Sequence, residues 1–465
     1  MNMINVRRLT VMTFLGASML SGISAQVSPL QVDTLKETKI PDQWDLQSCI
    51  DYAKEQNITI RKNRITAAST QIDVKTAKAA LFPSLSFSTG QQVVNRPYQE
   101  TSSRVSGSEI ISSNSKTSYN GNYGLNASWT LYNGNKRLKT IQQEKLNNQM
   151  AELDVATSEN NIQESIAQVY IQILYAAESV KVNENTLQVS IAQRDRGQEL
   201  LNAGSIAKSD LAQLEAQVST DRYQLVTAQA TLEDYKLQLK QLLELDGENE
   251  MNIYLPTLSD ENVLAPLPTK RDVYISALSL RPEIEASKLN VEASELGINI
   301  AKSSYFPTIS LSAGIGTNHT SGSDFTFGEQ VKNGWNNSIG LSVSVPIFNN
   351  RQTKSAVQKA KLQYETSMLS LLDEQKALYK TIESLWLDAN SAQQRYAAAN
   401  EKLKSTQISY ELISEQFNLG MKNTVELLTE KNNLLQAQQE QLQAKYMAIL
   451  NTQLLKFYQG DQLAL

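Results

Sequence analysis

The longest stretch of this chain without glycine or proline runs for 73 residues, from Ile347 to Leu419, and three more span 62, 42 and 39 residues at 135–196, 205–246 and 421–459. With no glycine to take a left-handed turn and no proline to break a helix, such a backbone has few ways to reverse, so these stretches read as helices. At about 1.5 Å per residue, a helix of 60 residues would be roughly 90 Å long, several times the width of an ordinary domain. Gly and Pro together are only 29 of 465 residues, about half the usual share of roughly 12%. That scarcity excludes a many-stranded sandwich, a propeller and a conventional α/β enzyme, each of which needs frequent marked turns. Leu211, Leu214, Val218, Leu225, Ala228, Leu232, Tyr235, Leu239 and Leu242 keep the alternating three-and-four spacing of a helix-on-helix seam, with Asp221 the one clear exception.

The N-terminus reads as an export signal over residues 1–25: basic Arg7 and Arg8, an apolar run from Leu9 to Ile23, and small residues before Gln26. No cysteine directly follows the apolar run, so lipid attachment at the cleavage site is not expected. Cleavage would remove two Arg and no acid, moving the net charge from −5 to −7. A mildly acidic exported chain is not a nucleic-acid binder. No later run is long and apolar enough for a transmembrane helix, so any membrane insertion must use strands. Cys49 and His319 are the only residues of their kinds. They offer no disulfide and no metal cluster, and no cofactor is expected. Cys49, among Leu46, Ile50 and Ala53, reads as a buried small hydrophobe, and His319 as a solvated residue in a polar loop.

Two segments switch to strict period two. Tyr119, Tyr123, Leu125, Ala127, Trp129 and Leu131 alternate with Asn, Ser, Thr and Gly, and Ile339, Leu341, Val343, Val345 and Ile347 alternate with Ser, Gly and Pro. Each has a shorter upstream partner, giving strands at about 84–94, 119–131, 308–317 and 335–347, with polar loops at 96–118 and 318–334. The halves repeat each other. Phe82-Pro83 matches Phe306-Pro307 at an offset of 224, while Leu131-Tyr132-Asn133 matches Ile347-Phe348-Asn349 and Gly204 matches Gly420, both at 216. Phe-Pro stops a helix and starts a strand, an Asn after the strand can cap the next helix, and Gly204 and Gly420 supply the positive φ of a helix turn. The expected organisation is an N-terminal extension at 26–41, a first repeat at 42–246 with its helix turn at 197–206, and a Pro-marked linker at 247–270. A second repeat follows at 271–460 with its turn at 417–423, then a tail at 461–465.

Strands with one apolar and one hydroxyl or amide face are what a barrel with a wet interior requires, yet four strands leave two open edges in lipid. The barrel must therefore be shared between chains, eight strands in a dimer or twelve in a trimer. The export signal, the twofold repeat, both Phe-Pro junctions, the strand-to-helix turns at 131–137 and 347–351, Arg281-Pro282-Glu283 and the two glycine helix turns together resemble the TolC family of outer-membrane efflux proteins, over about Trp44 to Tyr458. The fold class that follows is mainly α with a small transmembrane β part. The resemblance implies a homotrimer with a twelve-stranded barrel in the outer membrane of a Gram-negative bacterium, continued by coiled-coil helices through the periplasm. It also implies docking to a periplasmic adaptor and an inner-membrane pump of RND or ABC type, and passive export of small toxic compounds or drugs. Polypeptide secretion of type I is the alternative within the family, and a structural coiled-coil envelope protein lies outside it. A periplasmic adaptor would need larger β-rich domains, and no nucleophile–base constellation or phosphate loop supports an enzyme.

The same resemblance places the glycine turns at the periplasmic entrance. Glu426 falls where the family has a lumen-facing acid, and Thr429 stands where a second is common, with Glu430 one step on. Lys422 matches a basic gate position and Asp210 its acidic partner, and Phe417 replaces a common Tyr. A ring of Glu in a narrow pore attracts cations. Aromatic residues near strand ends, such as Trp129, Tyr305, Phe306, Trp335 and Phe348, fit interfacial girdles.

Overall fold

The computed structural model describes residues 41–463 except 99–101, 107–108, 114–115, 247–250, 257–262, 322 and 324. The export signal therefore lies outside the described residues, as does nearly all of the extension. The described elements run α1 (Leu46–Gln56), α2 (Ile58–Ala79), β1 (Ser84–Asn95), β2 (Ser102–Ser106), β3 (Glu109–Ser113), β4 (Thr117–Asn133), α3 (Lys136–Asn202), α4 (Lys208–Leu242), α5 (Lys270–Leu280), α6 (Pro282–Ser303), β5 (Thr308–Thr320), α7 (Phe327–Asn333), β6 (Asn336–Ser344), α8 (Gln352–Asn418) and α9 (Thr424–Gln459). All lie within the unit Gln43–Leu465. The 67 residues of α3 and of α8 make each about 100 Å long. Each reverses through its glycine turn into a partner of 35 or 36 residues, so α3 pairs with α4 and α8 with α9.

The four long strands form one antiparallel sheet in the order β1-β4-β5-β6. Its register sorts the side chains into rows. Leu85, Ala127, Ala313 and Ile339 lie side by side across all four strands, and the next row, Ser86, Asn126, Gly314 and Ser338, is polar. The apolar rows are left uncovered: Leu85 is 70% and Ile339 83% exposed. Among the described residues β1 and β6 each have one neighbour, so both outer edges of the sheet are open there. No described helix is long and apolar enough to cross a membrane.

Several expectations needed correction. The segment 96–118, read as a loop, carries the β2–β3 hairpin, and 318–334 carries α7. β5 extends to Thr320 because β4 continues to offer partners as far as Asn120, and this draws His319 into the strand opposite Gly121. Instead of being solvated in a loop, its ring packs against Tyr119 at 5.2 Å and Phe327 at 5.0 Å. The first helix does not stop at Gly197. It runs on to Asn202, with Gly197 buried against Leu214. The register of β4 against β5 slips between Thr130 and Tyr132, so Leu131 has no partner and the alternation changes phase there. Of the asparagines expected to cap the helices after the strands, Asn133 accepts from the Arg137 N–H at 3.4 Å, while Asn349 donates to the Thr353 hydroxyl instead. The N-cap residues of these helices, Asn135 and Arg351, are left-handed and make no side-chain cap bond, and the turns are set by consecutive positive φ at Gly134-Asn135 and Asn350-Arg351. Gly134 is required twice over, because an added Cβ would lie 2.6 Å from the Ser303 carbonyl and 2.9 Å from the Phe306 Cβ.

The two helical hairpins and the linker share a core in which Trp44, Cys49, Tyr170, Leu174, Leu239, Val263 and Leu454 are buried. Trp44 pairs with Ile253 of the linker, and burial pushes the Cys49 thiol up to about 12, as suits a packing residue. Arg281, 6% exposed, ties the α5–α6 corner to α3 through Glu164 at 3.0 Å and stacks over the Tyr458 ring at 4.1 Å.

The exception in the heptad seam has a structural reason. Asp221 of α4 is fully buried and pairs with Lys431 of α9, and Ser190 of α3 bonds to both. Gln217 donates to the second Asp221 oxygen at 2.8 Å. Burial pulls the Lys431 ammonium below its usual value, and the adjacent carboxylate opposes that shift. A buried pair of this kind is weak evidence for stability but fixes register, since no sliding of one hairpin past the other keeps both charges satisfied. Lys431→Met alone should lower unfolding stability by about 3–5 kcal/mol, because Asp221 is left uncompensated. Asp221→Leu with Lys431→Met should recover most of that loss. Chemical unfolding of the detergent-solubilised protein checks both, and a single variant as stable as the parent would overturn the assignment.

Candidate channel entrance

Both helix reversals are built the same way. Gly204 has φ 75 and Gly420 φ 72, and nothing lies within 4 Å of a Cβ added at either. Conformation rather than crowding therefore demands glycine. In the first turn Gly204 N–H donates to Leu201 O at 2.9 Å and Ser205 N–H to Leu200 O at 2.8 Å. In the second, Gly420 donates to Phe417 O at 2.9 Å and Met421 to Gln416 O at 2.8 Å. This doubled pattern closes the last carbonyls of a helix and turns the chain sharply.

The return helices begin with acidic side chains that satisfy free backbone donors. Asp210 accepts from the Ala207 N–H at 3.0 Å at the start of α4. At the start of α9, Asn423 accepts from the Glu426 N–H at 2.9 Å while Glu426 accepts from the Asn423 N–H at 3.4 Å, a reciprocal cap. The other oxygen of Glu426 takes the Lys422 ammonium at 3.1 Å. That hydrogen bond, with the helix-start amide, holds the Glu426 carboxyl below its ordinary value of 4.5.

The two turns face one open cleft of about 460 Å³, into which Asp210, Phe417, Lys422 and Glu426 all contribute. Phe417 is buried in its wall, 3% exposed. Lys422 is paired with Glu426 of its own helix start, and Asp210 is spent on its own cap, so the two are brought to one cleft without an ion pair between them in the single chain. Thr429 stands outside the cleft lining and bonds back to Val425 O at 2.8 Å, while Glu430 accepts from Ser409 of α8 at 3.1 Å. Among the described residues no group of His, Cys, Asp and Glu could hold a metal ion. In the sequence, only the family pattern points to the charged residues of this end, although the reciprocal cap is legible in Asn423 and Glu426 three apart.

The helix–strand junctions, at the far end of the same helices, are closed by neighbours. α2 ends at Ala79 and α6 at Ser303; Phe82 and Phe306 follow with their rings exposed, and Pro83 and Pro307 lead into β1 and β5. Trp129 Nε1 donates to Leu81 O at 2.7 Å and Arg137 to Ala80 O at 2.8 Å, so the orphan carbonyls of the first junction are satisfied.

Long helical hairpins carrying a sheet with one bare apolar face and one hydroxyl face define an outer-membrane β-barrel protein with a helical extension into the periplasm. Residues 49–244 and 273–460 both match the outer membrane efflux protein family, and the chain belongs to it. It is similar to the outer membrane efflux protein BepC of Brucella suis, 24% identical over 294 residues, 63% of this chain and 61% of that protein. It is also similar to outer membrane protein TolC of Escherichia coli, 24% identical over 296 residues, 61% of this chain and 58% of that protein. The chain thus matches about three fifths of the length of these two relatives. Among solved structures, one of CusC superposes with a TM-score of 0.76 at 19% identity, covering 90% of this chain and 92% of the other.

The depressed Glu426 carboxyl sets a pH expectation. A group whose folded value lies below its unfolded one stays ionised above 4.5 and loses its charge only as pH falls through the lower folded value. Lys422→Ala should move that titration back up. Reversal potentials of the reconstituted protein between neutral and acidic pH measure it, and identical profiles for parent and variant would sink the Lys422–Glu426 assignment.

Proposed function

We propose that three copies of this chain form a conduit across the outer membrane, twelve strands in the bilayer and twelve helices below it, through which small toxic compounds leave the periplasm. The observation that carries this reading is the sheet: four strands, apolar rows uncovered on one face, and two edges that only another copy can pair. In hydrocarbon each unpaired backbone group costs several kcal/mol, so the open edges of β1 and β6 require each other. The family's name and the channel formation described for CusC support the same reading.

At the other end, Glu426 from each copy would form a ring that favours cations over anions. In the closed entrance Lys422 would move from Glu426 to Asp210 of a neighbouring hairpin, its second possible carboxylate. A periplasmic adaptor and an inner-membrane pump of RND or ABC type would supply the energy, because the chain itself has the features of a passive pore.

Single-channel conductance of the purified oligomer tests the conduit, with Glu426→Gln lowering cation preference. Ile339→Arg, in the apolar row, should cost about 2–4 kcal/mol of membrane stability and abolish assembly, whereas Ser338→Arg on the polar face should assemble and alter conductance. Equal tolerance of both would overturn the sidedness of the sheet.

A further inference from the structure

The ten residues on the helix side of each sheet strand, 74–83, 134–143, 298–307 and 345–354, hold eight Lys or Arg and no Asp or Glu, in a chain with 43 basic and 48 acidic residues. Arg137 and Lys139 are turned onto backbone carbonyls, of Ala80 at 2.8 Å and Asn299 at 3.5 Å. The other six, Lys75, Lys78, Lys136, Lys302, Arg351 and Lys354, are exposed. None of the six belongs to an ion pair among the described residues.

Three of them stand where helix electrostatics is unfavourable. Lys136, Arg351 and Lys354 lie at the starts of α3 and α8, which like α1 and α2 have no acid in the first turn, while α4, α5, α7 and α9 have one and α6 has two. A helix N-terminus carries partial positive charge and repels cations. Arg351 is also held at φ 67, a conformation costly for any residue with a side chain. An anion from outside the chain would offset the charge at these helix starts.

What lies on either side of these cations identifies that anion. Toward the sheet, Phe82, Tyr305, Phe306 and Phe348 are exposed at the foot of the apolar rows, as aromatic side chains at a bilayer surface are. Away from it, α2 and α3 enclose an open cleft of about 400 Å³ that takes in Lys75, Lys78 and Lys145. Its acid, Glu152, already accepts from Asn148 at 2.7 Å. Long basic side chains just beyond an aromatic belt reach the headgroup layer.

We propose that this collar binds the headgroup phosphates of acidic phospholipid in the periplasmic leaflet, with one headgroup seated in the Lys75–Lys78–Lys145 cleft. The proposal rests on the sheet lying in the outer membrane. Trp129, hydrogen-bonded to Leu81 O at the collar, is the natural reporter, and Trp335→Phe removes the other exposed indole. The full-length protein in this background is reconstituted into phosphatidylcholine vesicles containing either brominated phosphatidylglycerol or brominated phosphatidylcholine, and Trp129 quenching gives the relative affinity.

Quenching should favour phosphatidylglycerol several-fold, of order fivefold for each Lys in reach, and the preference should shrink with salt. Substituting Gln at all six exposed positions should abolish it, Lys75→Gln with Lys78→Gln should reduce it, and Gln at Lys376, Lys380 and Lys404, far along α8, should leave it intact. Equal quenching by the two lipids in the parent protein overturns the proposal, whether or not the six-fold variant folds. So does a six-fold variant that changes ion selectivity and keeps its lipid preference, which would place the cations in the lumen. Quenching by neither lipid would instead remove the sheet from the bilayer, and with it the channel reading.

Discussion

Two rows of unpaired backbone groups, on the outer edges of β1 and β6, constrain everything else in this protein. Water could satisfy them, but hydrocarbon cannot, and the face beside them is too apolar to be left in water. In the conduit proposed above, closure with further copies meets the requirement, and closure in turn demands that every strand present the same face outward. The rows running through Leu85, Ala127, Ala313 and Ile339, each drawn from a different strand, meet that demand across both repeats.

A second constraint acts on the helices. Hairpins of this length packed by small and aliphatic side chains could slide by a heptad with little loss. The buried Asp221–Lys431 pair, with Ser190 between, penalises that slip, and Arg281 between Glu164 and the Tyr458 ring does the same near the other end of the hairpins. Charge is therefore placed by depth along the helices: buried pairs set register, acids sit at the return turns, and unpaired cations gather at the strands.

Much of this was legible because it depends on local backbone chemistry. Runs without Gly or Pro gave the helices, period two gave the sheet faces, and the repeated Phe-Pro and glycine turns gave the corners, since each of these residues acts through its own φ and ψ. What was missed depends on partners far along the chain. Asp221 looked like a flaw in a heptad because Lys431 lies 210 residues away. His319 looked like loop because the strand that draws it in is β4 of the other repeat. The phase change at Leu131 and the left-handed Arg351 leave no periodic trace at all. At the return turns, the cap made by Asn423 and Glu426 was readable three residues apart, whereas the cleft that gathers Asp210, Phe417 and Lys422 depends on packing between helices far apart in sequence.

The pairing of β4 with β5 has a consequence for how the molecule comes to exist. The two strands are hydrogen-bonded over almost their whole length, yet 174 residues separate the end of one from the start of the other. Closing so long a loop by random search is slow. A helix that runs out and back through Gly204, followed by α5 and α6, returns the chain to within reach of its starting level and removes most of that search. Helices form in about a microsecond and need no distant partner. A helical part formed first would serve as the scaffold for the sheet, bringing the lipid-facing strands together only when their partners already lay beside them.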